Sequence, residues 1–211
     1  MQPEQLRRVE ELYTSNLRDK GRVPAAVGWN SEDSQRMRFE KLTSLIEDRA
    51  PAVTINDYGC GYGAHLEHLV KQCGIRVTAY HGYDVSEPML EAARAHLNFF
   101  RGTLDLRCTT DISTTADYTF VSGTFNVRFT TDLAEWQEFI ETTLHRIDAH
   151  SIQGFAFNLL SRYVDWKQPH LYYADPCYWF DYCKQRFSSR VALLHDYPLY
   201  EWTIIVRKVI S

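Results

Sequence analysis

Three glycines at alternate positions, Gly59, Gly61 and Gly63, constrain this chain more than any other feature. They follow the short apolar run Val53-Thr54-Ile55-Asn56 and an acid, Asp57, and they precede a helical pattern that opens at Ala64. A strand, a glycine turn and a helix in that order set free backbone N–H groups at a helix start. Glycine has no Cβ, so such a turn takes positive φ and lets a ligand lie against the main chain. In open α/β sheets that place lies outside the carboxyl ends of the strands. Cys60, inside the turn, reads as a small filler there, since the sequence sets no base beside it.

The rest of the chain is arranged around this turn. Leu6, Val9, Tyr13 and Leu17 recur at helical spacing, and a second helix begins after Ser31, an N-cap followed by Glu32 and Asp33. Residues 1–50 are thus a helical cap, and 51–211 a core within one domain. In the core, strands at 52–56, 76–83, 104–108, 118–122 and 154–160 alternate with helices at 64–73, 86–100 and 132–147. This alternation predicts a mainly parallel sheet covered on both faces. The end differs: Val191–Asp196 and Tyr200–Val209 are separated by too few residues for a crossover helix, so they form an antiparallel hairpin.

Several classes are excluded. With 27 Asp and Glu against 23 Lys and Arg, the net charge of -4 argues against nucleic acid as a partner. No window approaches the roughly 18 apolar residues of a membrane span, and the amino-terminal residues lack a signal-peptide core. Five cysteines, with no C-x-x-C pair, read as reduced thiols in a cytoplasmic protein. His65 and His68 lack the spacing of a metal motif and read as residues on the wet face of their helix, so no metal is expected.

The glycines alone leave the ligand open. Gly59-x-Gly61-x-x-Ala64 satisfies the dinucleotide fingerprint, and Asp84, 21 positions after Gly63, is placed to bind a ribose. A nicotinamide cofactor and S-adenosylmethionine both fit. Asp57 tilts the balance, because it would repel a pyrophosphate but not the amino group of a sulfonium cofactor. The chain also lacks a second domain for a hydride acceptor, and the terminal hairpin is foreign to a plain dinucleotide domain.

Asp57-Tyr58-Gly59-Cys60-Gly61-Tyr62-Gly63, taken with Gly82-Tyr83-Asp84-Val85-Ser86-Glu87-Pro88-Met89-Leu90, resembles the class I S-adenosylmethionine-dependent methyltransferases. The later segments around Ser122–Arg128, Gly154–Asn158 and Leu171–Pro176 resemble small stand-alone bacterial members. The resemblance implies a Rossmann-like three-layer sandwich with a seven-stranded sheet whose last strand is antiparallel. It also implies S-adenosylmethionine as cofactor and S-adenosylhomocysteine as product. On that basis Gly59, Cys60, Gly61 and Gly63 pack against the amino-acid and ribose portion, with Asp57 beside them, and Asp84 accepts the ribose hydroxyls. Val85 and Met89 then lie near the adenine, Asp111 and Ile112 cover it, and Ser122 and Gly123 border the methionine part.

The cap and the loop after the fifth strand complete the picture. Trp29 and Arg38 in the cap fold over the carboxyl edge, with Arg38 offering a planar fork to the cofactor carboxylate. Tyr163, Trp166, His170, Tyr172 and Tyr173 fall in a long polar loop, and long loops in compact domains are commonly lids or binding walls. With Asn158 they make an aromatic-lined substrate wall. Asn126 and Tyr172 are the catalytic candidates. The expected reaction is methyl transfer to a small molecule by in-line displacement. The competing readings are a NAD-binding oxidoreductase-like domain and a non-catalytic scaffold.

Overall fold

The computed structural model describes residues 3–27, 31–47 and 52–208. The amino-terminal part is helical: α1 spans Pro3–Lys20 and α2 spans Glu32–Thr43. Ser31 caps α2 as its residue type predicts, its hydroxyl accepting the Ser34 N–H at 3.1 Å. The sheet then begins with β1 (Val53–Tyr58) and β2 (Val77–Asp84), followed by β3 (Thr103–Cys108) and β4 (Ala116–Val121). After them come β5 (Ser151–Ser161), the two-residue β6 (Tyr173–Ala174), β7 (Arg190–Leu194) and β8 (Glu201–Arg207). The connecting helices are α3 (Ala64–Glu67), α4 (Glu87–His96), α5 (Leu133–Ala149) and α6 (Pro176–Arg186).

The main path of the sheet runs β3-β2-β1-β4-β5-β8-β7, with β6 pairing β5 off that path. The pairings β1–β2, β1–β4, β2–β3 and β4–β5 are parallel, whereas β8 is antiparallel to both β5 and β7. This is the Rossmann-like α/β architecture expected, with the hairpin inserted so that β8 alone runs against the rest. Seven strands were legible in the sequence. β6, in the loop after β5, was not, because a two-residue strand carries no periodicity.

Alternation along β5 shows how the layers form. Phe155, Phe157 and Leu159 face one core, with Trp136, Ile140, Leu144, Trp179 and Trp202. Ala156 faces the other, with Leu42, Leu66, Leu90, Leu97 and Phe120. Period-two alternation puts successive side chains on opposite faces, so each strand feeds both cores. The helix after the glycine turn departs from expectation: α3 gives way to a π-helical turn at His68–Gln72. His65 and His68 are buried at 2% and 3% exposure, not on a wet face. The His65 ring stacks on Phe39 of α2 at 4.7 Å and meets Phe120 of β4 edge-on at 4.7 Å.

Candidate active site

The carboxyl ends of β1, β2 and β4 and the glycine turn form one floor with a chamber on either side. The larger chamber, about 750 Å³ including space open to solvent, takes in Gly59, Gly61, Asp84, Val85, Met89, Ser122 and Gly123. Thr109, Thr110, Trp136 and Phe139 wall its far side. Leu6, Val9 and Tyr13 of α1 reach it from above. The smaller chamber, about 330 Å³, is lined by Gln35, Phe39, Asp57, Cys60, Tyr62 and His65, and shares Gly59, Gly61 and Ser122 with the first.

The floor is shaped by protein contacts as well as by the need to admit a ligand. Gly59 has φ +78, and a Cβ there would lie 2.1 Å from Thr124 Oγ1, which donates to the Tyr58 carbonyl at 2.9 Å. Gly63 has φ +83, and its Cβ would meet Leu97 at 2.6 Å. Positive φ and these close neighbours both require glycine. The loop after β4 thereby crosses directly over the turn.

Asp84 ends β2 and is held rigidly. Its Oδ2 accepts the Gly61 N–H at 2.9 Å, and its Oδ1 accepts the Ser86 N–H at 3.0 Å. Burial raises its carboxyl above the ordinary carboxylate range, while the backbone N–H groups of Ser86, Gly61 and Val85 oppose that shift. Ser86 in turn caps α4, accepting the Met89 N–H at 3.3 Å, so strand end and helix start share one hydrogen-bonded turn. Tyr13 of α1 lies near this carboxylate; burial and the Asp84 charge push its phenol up to about 12.

Asp57, at the end of β1, is different. Burial raises its carboxyl to about 7, against the opposing hydrogen bond that Tyr80 Oη donates at 2.6 Å. His65 Nδ1 stands 3.9 Å from Asp57 Oδ2. Burial lowers the His65 imidazole to about 3, so it is neutral at pH 7 and the two are no ion pair despite their closeness. The Cys60 thiol is raised well above its ordinary value by the same burial, which leaves it inert as a nucleophile.

Of the other expected site residues, several lie elsewhere. Asp111 is exposed, pairs with Arg146 at 3.8 Å and does not line the cleft; Thr109 and Thr110 stand at that wall instead. Ile112 is buried in the core beneath it. Arg38 turns inward, its Nε donating to Glu201 Oε2 of β8 at 2.7 Å, so a buried ion pair takes the fork expected to face the cofactor. Asn126 Oδ1 accepts the Leu160 N–H at 3.2 Å and its carbonyl accepts the Tyr172 N–H at 2.8 Å. Tyr172 packs in the core, and neither it nor Asn126 lines either chamber. Asn158 Oδ1 accepts the Gly123 N–H at 2.7 Å, supporting the floor from below. Trp29 lies outside the described residues.

None of the expected aromatic-loop residues lines either chamber. Tyr163 and Trp166 are 55% and 65% exposed, and Tyr173 Oη accepts the Gln168 N–H at 3.0 Å. The carbonyl of His170 accepts the N–H groups of Arg128 and Phe129, tying this loop to the loop after β4. Arg8 of α1 continues the strap, donating to Thr130 at 3.1 Å and lying 4.5 Å over the Phe129 ring. The contribution of α1 was missed. Its stripe Leu6, Val9, Tyr13 was visible in the sequence, but an apolar helix face does not announce what it covers.

Comparisons with known proteins agree with this geometry. The family described as "Methyltransferase domain" matches residues 55–150. A protein of Mycobacterium tuberculosis named "Putative methyltransferase Rv1506c" is 48% identical over 165 residues, covering 77% of this chain and 98% of that protein. Among solved structures, magnesium protoporphyrin IX methyltransferase from Synechocystis with bound S-adenosylhomocysteine superposes with a TM-score of 0.71 at 12% identity, covering 97% of this chain and 100% of that one. A complex of DhpI with S-adenosylmethionine gives a TM-score of 0.69 at 12% identity, covering 98% and 99%. At such identities the two structures establish a shared fold.

Proposed function

This chain belongs to the methyltransferase family, and from that premise we propose that it moves the methyl group of S-adenosylmethionine onto a small-molecule acceptor by in-line displacement. The carrying observation is the Asp84 carboxylate, locked by two backbone N–H groups and facing the larger chamber beside Val85 and Met89. A carboxylate fixed in that way accepts both hydroxyls of a ribose with little reorganisation. The adenosine then occupies the larger chamber and the amino-acid tail crosses the glycine floor into the smaller one.

The sulfonium is already an activated leaving group, so the protein's task is alignment and exclusion of water. Orientation of this kind is worth roughly 7–11 kcal/mol. The floor from Gly59 to Gly61 and the Ser122–Thr124 loop fix the sulfur end, while α1 roofs the adenosine. A small acceptor is supported by that roof and by the lining of the larger chamber, where Asp84 is the sole charged side chain among those lining it. No lysine or arginine lines either chamber among the described residues, which fits an acceptor without phosphate groups.

Thermal unfolding with S-adenosylhomocysteine, and separately with NAD, tests this reading. At one hundred times its dissociation constant the product should stabilise the protein by about 2.7 kcal/mol. NAD should leave it unchanged, and Asp84→Ala should abolish the response. Stabilisation by NAD alone would replace the proposal with an oxidoreductase.

A further inference from the structure

Among the described residues, His65 is the one buried imidazole that lines the smaller chamber, and its Nδ1 has no hydrogen-bond partner. The ring is clamped between Phe39 and Phe120, so it cannot turn to find one. Its Nε2 lies 3.4 Å from Thr43 Oγ1. With the proton on Nε2, directed at that hydroxyl, Nδ1 carries a lone pair. Asp57 Oδ2, 3.9 Å away, is too far to hydrogen-bond and has no proton of its own to give once ionised. Two acceptors thus stand side by side in a cavity, one with an unused lone pair. A buried polar atom left unpaired costs about 1–3 kcal/mol, which a purely packing role for this ring would not explain.

We propose that His65 is a cofactor-binding residue, its Nδ1 accepting one hydrogen of the cofactor's α-ammonium while Asp57 Oδ2 accepts a second. A tetrahedral ammonium at ordinary hydrogen-bond distance from each atom bridges acceptors about 4 Å apart. The imidazole has to be neutral to accept, and its burial between Phe39 and Phe120 keeps it so. Ser122 Oγ, a second buried atom without a partner among the described residues, lies where the chambers meet and marks the same path for the tail. The inference rests on the S-adenosylmethionine reading above and adds to it the residue that recognises the amine.

Calorimetry with two ligands tests it: S-adenosylhomocysteine, and its deamino analogue, which keeps the carboxylate and lacks only the amine. His65→Phe should weaken the first ten- to one-hundred-fold and the second less than threefold. His65→Asn, which retains an acceptor, should recover part of the loss. An equal effect of His65→Phe on both ligands, or none on either, overturns the proposal. Failure of the wild-type protein to bind S-adenosylhomocysteine overturns the function reading instead. Should the phenylalanine variant not fold, nitrogen-15 NMR of the wild-type histidines decides: His65 Nδ1 should be unprotonated when empty and shift with S-adenosylhomocysteine but not with the deamino analogue. A protonated Nδ1, or no shift, refutes the assignment.

Discussion

A buried carboxylate, Asp57, and a half-buried one, Asp84, close adjacent strands of this sheet, and they are built in opposite ways. Asp84 receives backbone N–H groups on both oxygens, donors that cannot move away. Asp57 receives one phenol and otherwise faces a cavity, with an imidazole too distant to bond. On the proposed reading the Asp84 end, which takes the ribose, is preorganised, whereas the Asp57 end, which takes the amino-acid tail, holds polar atoms left for the ligand to satisfy. Burial raises both carboxyls, Asp57 to about 7 against one phenol and Asp84 against the opposing backbone N–H groups of Ser86, Gly61 and Val85. On the proposed reading the rigid clamp supplies affinity. A half-satisfied pocket supplies selectivity and makes affinity depend on pH.

The largest test of this contrast removes the rigid clamp. Asp84→Ala should cost two charge-assisted hydrogen bonds, a loss of at least about one-hundred-fold in S-adenosylhomocysteine affinity by calorimetry. A loss below tenfold would mean that the ribose binds elsewhere. Next comes the shared floor. Gly59→Ala forces a side chain into positive φ and into Thr124, and should lower stability by about 2–3 kcal/mol in urea unfolding. Adding Thr124→Ala should restore the part due to the collision and leave the backbone part.

A smaller effect separates the two carboxylates. Lowering pH from 7.5 to 6 protonates Asp57 in the empty site, so S-adenosylhomocysteine affinity should fall about tenfold, and Asp57→Asn should flatten that profile. For stability the sign is the reverse. A carboxyl raised above its unfolded value favours the folded state fully below the unfolded value, and that contribution is lost as pH rises through about 7. Asp57→Asn should thus gain stability over wild type at pH 8, with the gain shrinking toward pH 5. The smallest effect belongs to the aromatic loop: Trp166→Ala, on an exposed side chain that lines neither chamber, should leave S-adenosylhomocysteine affinity within twofold.

The turn that joins the glycines to Asp84 was legible in the sequence and the surroundings of Arg38 and His65 were not, for a physical reason. Gly59, Gly61, Asp84 and Ser86 act through the backbone turn that their own spacing creates, so local order reveals them. The terminal hairpin was equally plain, since a short link permits one geometry. Arg38 found its partner 163 residues away on β8, and nothing near it in the chain signals Glu201. His65 became buried because Phe39 of α2 stacks on it and Phe120 of β4 meets it edge-on. Asn126 and Tyr172 were read as reacting groups from their place after strands, yet both serve to bind two loops together. Long-range packing decided each of these.

The most direct test is a crystal structure with S-adenosylhomocysteine. The account predicts both ribose hydroxyls on the Asp84 carboxylate and the α-ammonium between Asp57 and His65, the ligand crossing Gly59–Gly61. Adenosine seated away from Asp84, or a tail turned out toward α1 and solvent, would contradict it.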